Sequence, residues 1–180
     1  MGVDWIYSYK GLSMLQLINL NDLCISSERL QSSYLQTEVG FLKVVWCEEG
    51  IFTSEFVDDA PASDASNSTP FLRFLRKHQN QLPLIVHATE FQKSVWLAVS
   101  NTRAGQCFTY KSLALEMGKP NAVRAVGSAL GKNQHALFIP CHRAIRSDGG
   151  IGGFRWGLER KSHLLQLEAD GLNLIERLLA

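Results

Sequence analysis

Short apolar or alternating runs fill the first half of the chain. Leu15-Gln16-Leu17-Ile18, Ser33 to Gln36 and Phe41-Leu42-Lys43-Val44-Val45-Trp46 carry the strand signal. Glu48-Glu49-Gly50 reads as a turn that returns the chain into Ile51-Phe52-Thr53-Ser54-Glu55-Phe56-Val57, which predicts a hairpin of a small antiparallel sheet. Asp58 through Thr69 is rich in Asp, Ala, Ser, Asn and Pro, has little to bury, and is expected to be a surface loop. Thr69 is a suitable N-cap and Pro70 suits the first helical position. A helix is therefore predicted as far as His78, with Phe71, Leu72, Phe74 and Leu75 as its apolar stripe.

From Thr89 the period becomes helical. Phe91, Val95, Trp96 and Val99 recur at helical spacing, and the segment stops before Gly105. The change of pattern places a domain boundary near residues 80 to 88, dividing the chain into 1–86 and 87–180. Thr109 can cap a helix from Tyr110 to Met117 closed by Gly118, and Asn121 can cap a third running to about Leu130. Two short helices with a tight glycine-containing turn make either a helix-turn-helix or an ordinary helical hairpin. Wound at about 3.6 residues per turn, the third helix puts Val123, Val126 and Leu130 on a buried arc, with Ala122, Ala125 and Ala129 beside it. Arg124 and Ser128 fall on the far side. One long cation on a surface of methyl groups and glycine suits a helix laid against a nucleic-acid groove; the alternative is a small-residue helix contact with Arg124 solvated. The last helix is expected from about Leu158, with Leu158, Leu164 and Leu165 on one face and Glu168 on the same face. An inward carboxylate is costly unless paired, and His142 is the candidate partner.

A composition that is 46% hydrophobic and 19% charged over 180 residues is that of an ordinary globular protein of one or two domains. Neither a charged leader with an apolar core nor a membrane-length apolar stretch is evident, so a cytoplasmic protein, or a nuclear one in a eukaryote, is expected, with no membrane partner. Cys24, Cys47, Cys107 and Cys141 lack CxxC spacing and indicate neither a zinc site nor a disulfide framework. The net charge of +1 conceals a split: residues 1 to 88 hold 6 Lys+Arg against 10 Asp+Glu, residues 89 to 180 hold 12 against 7. Only the second half is prepared for a polyanion.

The sharpest chemical signal is Pro140-Cys141-His142-Arg143, at the end of the apolar run Ala136-Leu137-Phe138-Ile139. A thiol attacks only as its thiolate, and an adjacent imidazole and guanidinium are able to depress its pKa from about 8.5. The alternative is a buried structural cysteine. Proline speaks against it by ending the expected strand where the thiol appears. Downstream, Arg146 to Gly157 holds five glycines, which free backbone groups to approach a ligand or simply form a flexible hairpin. The spacing is not that of a dinucleotide site.

Taken together, these residues resemble the O6-alkylguanine-DNA alkyltransferase family, the methylated-DNA-protein-cysteine methyltransferases. The resemblance runs from about Phe91 to Glu168 through Phe108-Thr109-Tyr110, Ala122-Val123-Arg124-Ala125-Val126-Gly127, Asn133, Pro140-Cys141-His142-Arg143 and Gly153-Phe154-Arg155-Trp156-Gly157. It implies an α+β fold: a small ribonuclease-H-like antiparallel-sheet N-terminal domain, then a helical, winged-helix-like C-terminal domain with a helix-turn-helix. It implies direct, irreversible transfer of the alkyl group from O6-alkylguanine, and from O4-alkylthymine, to Cys141 after nucleotide flipping, one base per protein. Flipping is needed because O6 of a stacked guanine is closed to in-line attack by a protein sulfur.

By position, Cys141 would be the acceptor, His142 its proton relay through water, and Glu168 the group that orients the imidazole. Asn133 would tie the recognition helix to the active-site loop, and Tyr110 would donate its phenolic proton to the guanine. Arg124 would fill the vacated stack from the minor groove, with Ala122, Ala125, Ser128, Tyr110 and Arg143 also at the DNA. Tyr110, Ala144, Gly152, Gly153, Phe154 and Arg155 would line the base pocket. The implied partner is double-stranded DNA bound by a monomer, without cofactor or metal. Three positions depart from many relatives: Phe154 replaces a tyrosine, Arg155 a small residue, and Ala136 a proline. Rival readings are a cysteine hydrolase, a reader of alkylated guanine that does not repair it, and a helix-turn-helix regulator.

Overall fold

The computed structural model describes residues 15–61 and 68–179. Strand periodicity is realised in β2 (Gln31–Thr37), β3 (Gly40–Cys47) and β4 (Gly50–Val57), which pair antiparallel through tight turns. Their inward residues Leu35, Leu42, Val44, Ile51 and Phe56 are buried. β1 (Leu15–Asn19) does not join this meander. It pairs in parallel with β5 (Leu82–Val86), and β5 meets β4 in parallel at Ile51↔Leu84, giving the order β1-β5-β4-β3-β2. The sheet is thus mixed rather than wholly antiparallel. β5 has no expected counterpart because Leu82-Pro83-Leu84-Ile85-Val86 is buried at all five positions, so it lacks alternation, and a proline usually argues against an interior strand. Gly50 makes the approach possible, since a Cβ there would lie 2.8 Å from the Pro83 carbonyl oxygen.

α1 (Thr69–Lys77) covers one face of the sheet and packs Phe71 and Phe74 on Trp46, with ring centroids 5.7 and 5.1 Å apart. Its N-cap is Ser68, which makes no side-chain capping bond, so Thr69 is the first helical residue and not the cap. Of the expected loop before it, residues 62–67 lie outside the described residues.

The second half opens with α2 (Glu90–Ser100), whose capping box is reciprocal: Gln92 N–H donates to Thr89 Oγ1 and Thr89 N–H to Gln92 Oε1. Thr109 and Ser112 repeat the device at α3 (Tyr110–Glu116), and Gly118, at φ +68°, ends that unit. α4 (Val123–Gly131) starts one residue later than a cap at Asn121 would start it. Pro120–Ala122 forms a single 3-10 turn and takes the place of a cap. On α4, Val126, Ala129 and Leu130 are buried while Arg124, Ala125 and Ser128 are exposed. α5 (Leu158–Ala169) buries Lys161, Leu164 and Leu167; Leu158, expected on the inner face, is 52% exposed in the first turn. A short α6 (Leu174–Leu179) follows. The α+β class holds, and among the described residues no helix is long and apolar enough to cross a membrane.

Of the contacts that join the halves, two sets position the site. Residues 134–136 extend alongside β4: Ser54 N–H donates to Gln134 O at 2.9 Å, Ala136 N–H to Ser54 O at 2.9 Å, and Ser54 Oγ to Ala136 O at 2.8 Å. Behind the glycine-rich segment, Phe56 of β4 meets Trp156 edge-on at 6.3 Å, and Arg160 donates to the carbonyls of Val39 and Trp156.

Candidate active site

The apolar run before the cysteine is a buried turn and not a strand. After Ala136 has paired with Ser54 the chain folds back so that Ile139 N–H donates to His135 O, and Leu137 is held at φ +71°. A bulky residue in that region costs about 1–3 kcal/mol and persists only where packing imposes it; Leu137 is 6% exposed. A continuous apolar run cannot distinguish such a turn from a strand. Cys141 follows in a 3-10 turn, Cys141–Arg143, and the chain then enters β7 (Ala144–Ile145), which pairs in parallel with β6 (Phe108–Thr109). That two-stranded element, absent from the expected pattern, brings Tyr110 at the start of α3 to the cysteine loop.

Asn133, just beyond α4, organises the turn. Its Nδ2 donates to the Ile139 carbonyl at 3.0 Å and approaches Cys141 Sγ at 3.2 Å, while its Oδ1 accepts the His135 N–H at 2.8 Å. The tie between helix and active-site loop is therefore present. Cys141 is 8% exposed, and burial pushes its thiol up to about 11 against the opposing effects of Asn133, Lys161 and Arg155. This corrects the expectation that the two sequence neighbours depress it. Both point elsewhere. His142 Nε2 lies 2.9 Å from Glu168 Oε1, and Arg143 grips both Glu168 oxygens through Nε, at 3.1 and 2.9 Å, and reaches Thr102 with Nη1.

Arg143, expected at the DNA, is instead 3% exposed and serves as the buried counter-ion of Glu168. Burial of the Glu168 carboxyl pushes its pKa up, but the hydrogen bonds from His142 and Arg143 outweigh that and hold it at about 2. Burial lowers the His142 pKa despite Glu168, so the imidazole rests neutral. With Nε2–H donated to the carboxylate, Nδ1 is left as the base.

Tyr110 stands between α4 and the glycine-rich loop. A Cβ on Gly127 would lie 3.7 Å from its ring, and one on Gly152, which sits at φ +72°, would lie 3.2 Å from its hydroxyl. Burial raises the phenol pKa, which keeps it a proton donor. Phe154 turns its edge toward His142 at 6.4 Å, and the exposed Arg155 rests Nη1 near the Asn133 carbonyl at 3.4 Å. Gly153 and Ala144 are brought together by a residue the sequence reading missed. Lys161 is fully buried, and its ammonium donates to Ala144 O at 2.5 Å and Gly153 O at 3.1 Å. Its position three residues before Leu164, on the inward face of α5, was the available signal. Arg124, Ala125 and Ser128 are exposed on α4, and Ala122, in the 3-10 turn just before it, is half-buried.

Residues 90–170 match the family described as 6-O-methylguanine DNA methyltransferase, DNA binding domain. The regulatory protein Ada of Salmonella typhimurium is 50% identical over 89 residues, which are 49% of this chain and 25% of Ada. The chain thus spans about a quarter of that relative. A probable methylated-DNA–protein-cysteine methyltransferase of Acanthamoeba polyphaga mimivirus is 34% identical over 140 residues, 74% of this chain and 93% of the viral protein. The O6-methylguanine methyltransferase of Mycobacterium tuberculosis superposes with a TM-score of 0.60 at 25% identity, covering 78% of this chain and 93% of the other. With a relative of that identity covering three quarters of its length, the chain belongs to the methylated-DNA–protein-cysteine methyltransferase family.

Proposed function

We propose that the protein repairs DNA by moving the alkyl group of O6-alkylguanine to Cys141, once per molecule. The observation that carries the proposal is a pair of hydrogen-bonded groups on neighbouring residues: Asn133, just beyond α4, on the Cys141 sulfur, and Glu168, itself held by Arg143, on the neutral, oriented imidazole of His142. The Cys141 S–C bond forms as the C–O6 bond breaks. The sulfur's proton passes through a water to His142 Nδ1, and Tyr110 gives its phenolic proton to the departing guanine. The imidazolium proton then restores the phenol through solvent. A thiol whose pKa is raised is inert at rest, and once deprotonated it is the stronger nucleophile.

Arg124, projecting from α4 without an ion-pair partner among the described residues, fills the stack that the extruded nucleotide leaves, entering by the minor groove of double-stranded DNA. Ala122, Ala125 and Ser128 permit the close approach. The Ala144 carbonyl, already bound to Lys161, keeps one lone pair for the base, and the Arg155 backbone N–H faces O6. The protein acts as a monomer inside the cell, where its substrate is.

Intact-mass measurement after incubation with a duplex carrying O6-methylguanine tests the reading. One methyl group should appear on Cys141, none in Cys141→Ala, and no further turnover should occur. Repeated turnover would point to a hydrolase, and unchanged mass to a reader that does not repair.

A further inference from the structure

Beside the reactive loop, between the ends of β1 and β5 and the facing ends of α2 and α4, lies a cleft of about 550 Å³. Its lining contains no acidic residue. Lys132, immediately after α4, and Arg155 supply two cations, neither in an ion pair with a carboxylate among the described residues. The exposed His87 and the amides of Asn19, Asn21 and Gln92 add donors around them. Such a volume with convergent donors is that of a ligand site, and the absence of carboxylates in the wall selects an anion.

Two further observations say which anion. Arg155 is shared: it lines the cleft, it reaches the carbonyl of Asn133, the residue against the sulfur, and its charge favours the Cys141 thiolate. The cleft therefore adjoins the pocket that would receive the base. Lys132 also lies eight residues beyond Arg124, about 12 Å along α4, which is the rise of roughly three to four nucleotides.

We infer that this cleft is a second phosphate subsite, separate from the exposed face of α4, which holds a phosphodiester of the strand bearing the extruded nucleotide. The inference rests on the alkyl-transfer reading. It gives the N-terminal sheet, through Asn19 and Asn21, a part in holding substrate DNA.

The test scans the lesion strand with single neutral methylphosphonates in single-turnover assays at subsaturating protein. One position within about four nucleotides of the lesion should slow the wild type about threefold to tenfold and leave Lys132→Gln, already slowed, unaffected. Lys132→Gln should react with free O6-methylguanine base at the wild-type rate, and Lys77→Gln on α1, outside the cleft, should behave as wild type throughout. If no position couples to Lys132, or if Lys132→Gln is equally slow on the free base, the subsite is refuted. Salt dependence of binding to the same duplex reads the cleft independently of chemistry. Its slope should fall by about 0.9 in Lys132→Gln, and an unchanged slope overturns the inference. A wild type that binds but transfers nothing would overturn the proposed function instead.

Discussion

Glu168 is the residue on which the site's electrostatics turn. It orients His142 and neutralises Arg143, both buried. A folded value of about 2 lies below the ordinary 4.5, so the ionised carboxyl stabilises the fold above pH 4.5, and that contribution is lost as pH falls toward 2. The shift corresponds to stability of the order of 3 kcal/mol. Glu168→Gln should cost about 3–5 kcal/mol at neutral pH by leaving Arg143 buried without its counter-ion, and should flatten the stability profile between pH 4.5 and 2. Urea denaturation across that range measures both; parallel profiles for the two proteins would remove the role. Methyl transfer should slow by about 100-fold, as expected when a general base loses its orientation. His135 has a different part. Burial pushes its pKa down to about 4, Nε2 donates to the Ile85 carbonyl at 3.1 Å, and Nδ1 has no partner among the described residues.

At the scale of elements, the site is a meeting of α3, α4 and the loop before α5, with the Tyr110 ring as the spacer. The two glycines beside that ring differ: a Cβ on Gly127 would make ordinary contact at 3.7 Å, whereas Gly152 is required both by its positive φ and by the 3.2 Å approach of the hydroxyl. Gly149 offers the control, since its φ is +83° and a Cβ there would meet nothing within 4 Å. Gly149→Ala should cost about 1–2 kcal/mol of backbone strain alone. Gly152→Ala should cost at least as much and also displace the Tyr110 hydroxyl, slowing transfer from duplex and free base alike. Melting temperatures together with single-turnover rates separate the two effects. Equal rates for both variants would mean that Gly152 is needed only for its backbone.

Over the whole molecule, the N-terminal sheet acts as the base against which the reactive loop is set. Ser54 pairs with residues 134–136, an edge-on series of rings runs from Phe56 through Trp156 and Phe154 to His142, and Arg160 ties the Trp156 carbonyl to that of Val39. Sheet and helices share one buried apolar cluster. Unfolding should therefore be a single calorimetric transition, and Phe56→Ala should lower its midpoint by the equivalent of about 3–5 kcal/mol while slowing transfer. Two separated transitions would show the halves to be independent.

What was legible in the sequence was local. Thr89 and Thr109 cap their helices by a spacing of three residues, α4 hides Val126 and Leu130 by its own period, and the inward Glu168 could be assigned to His142 because a buried carboxylate needs a partner. Asn133, Cys141 and Tyr110 were marked by motif, and the fold brings all three together. What required the tertiary structure was everything that depends on groups distant along the chain. The parallel pairing of β5 spans the whole of the first half. Glu168, twenty-five residues from Arg143, turns that guanidinium inward against the cost of its desolvation. Adjacent letters in Cys141-His142-Arg143 suggested mutual activation, yet side chains on a tight 3-10 turn diverge, and burial raises the thiol that the motif was expected to lower. Residue types and spacing decide which chemistry is available to a chain, while ionisation is decided by the surroundings that only folding supplies.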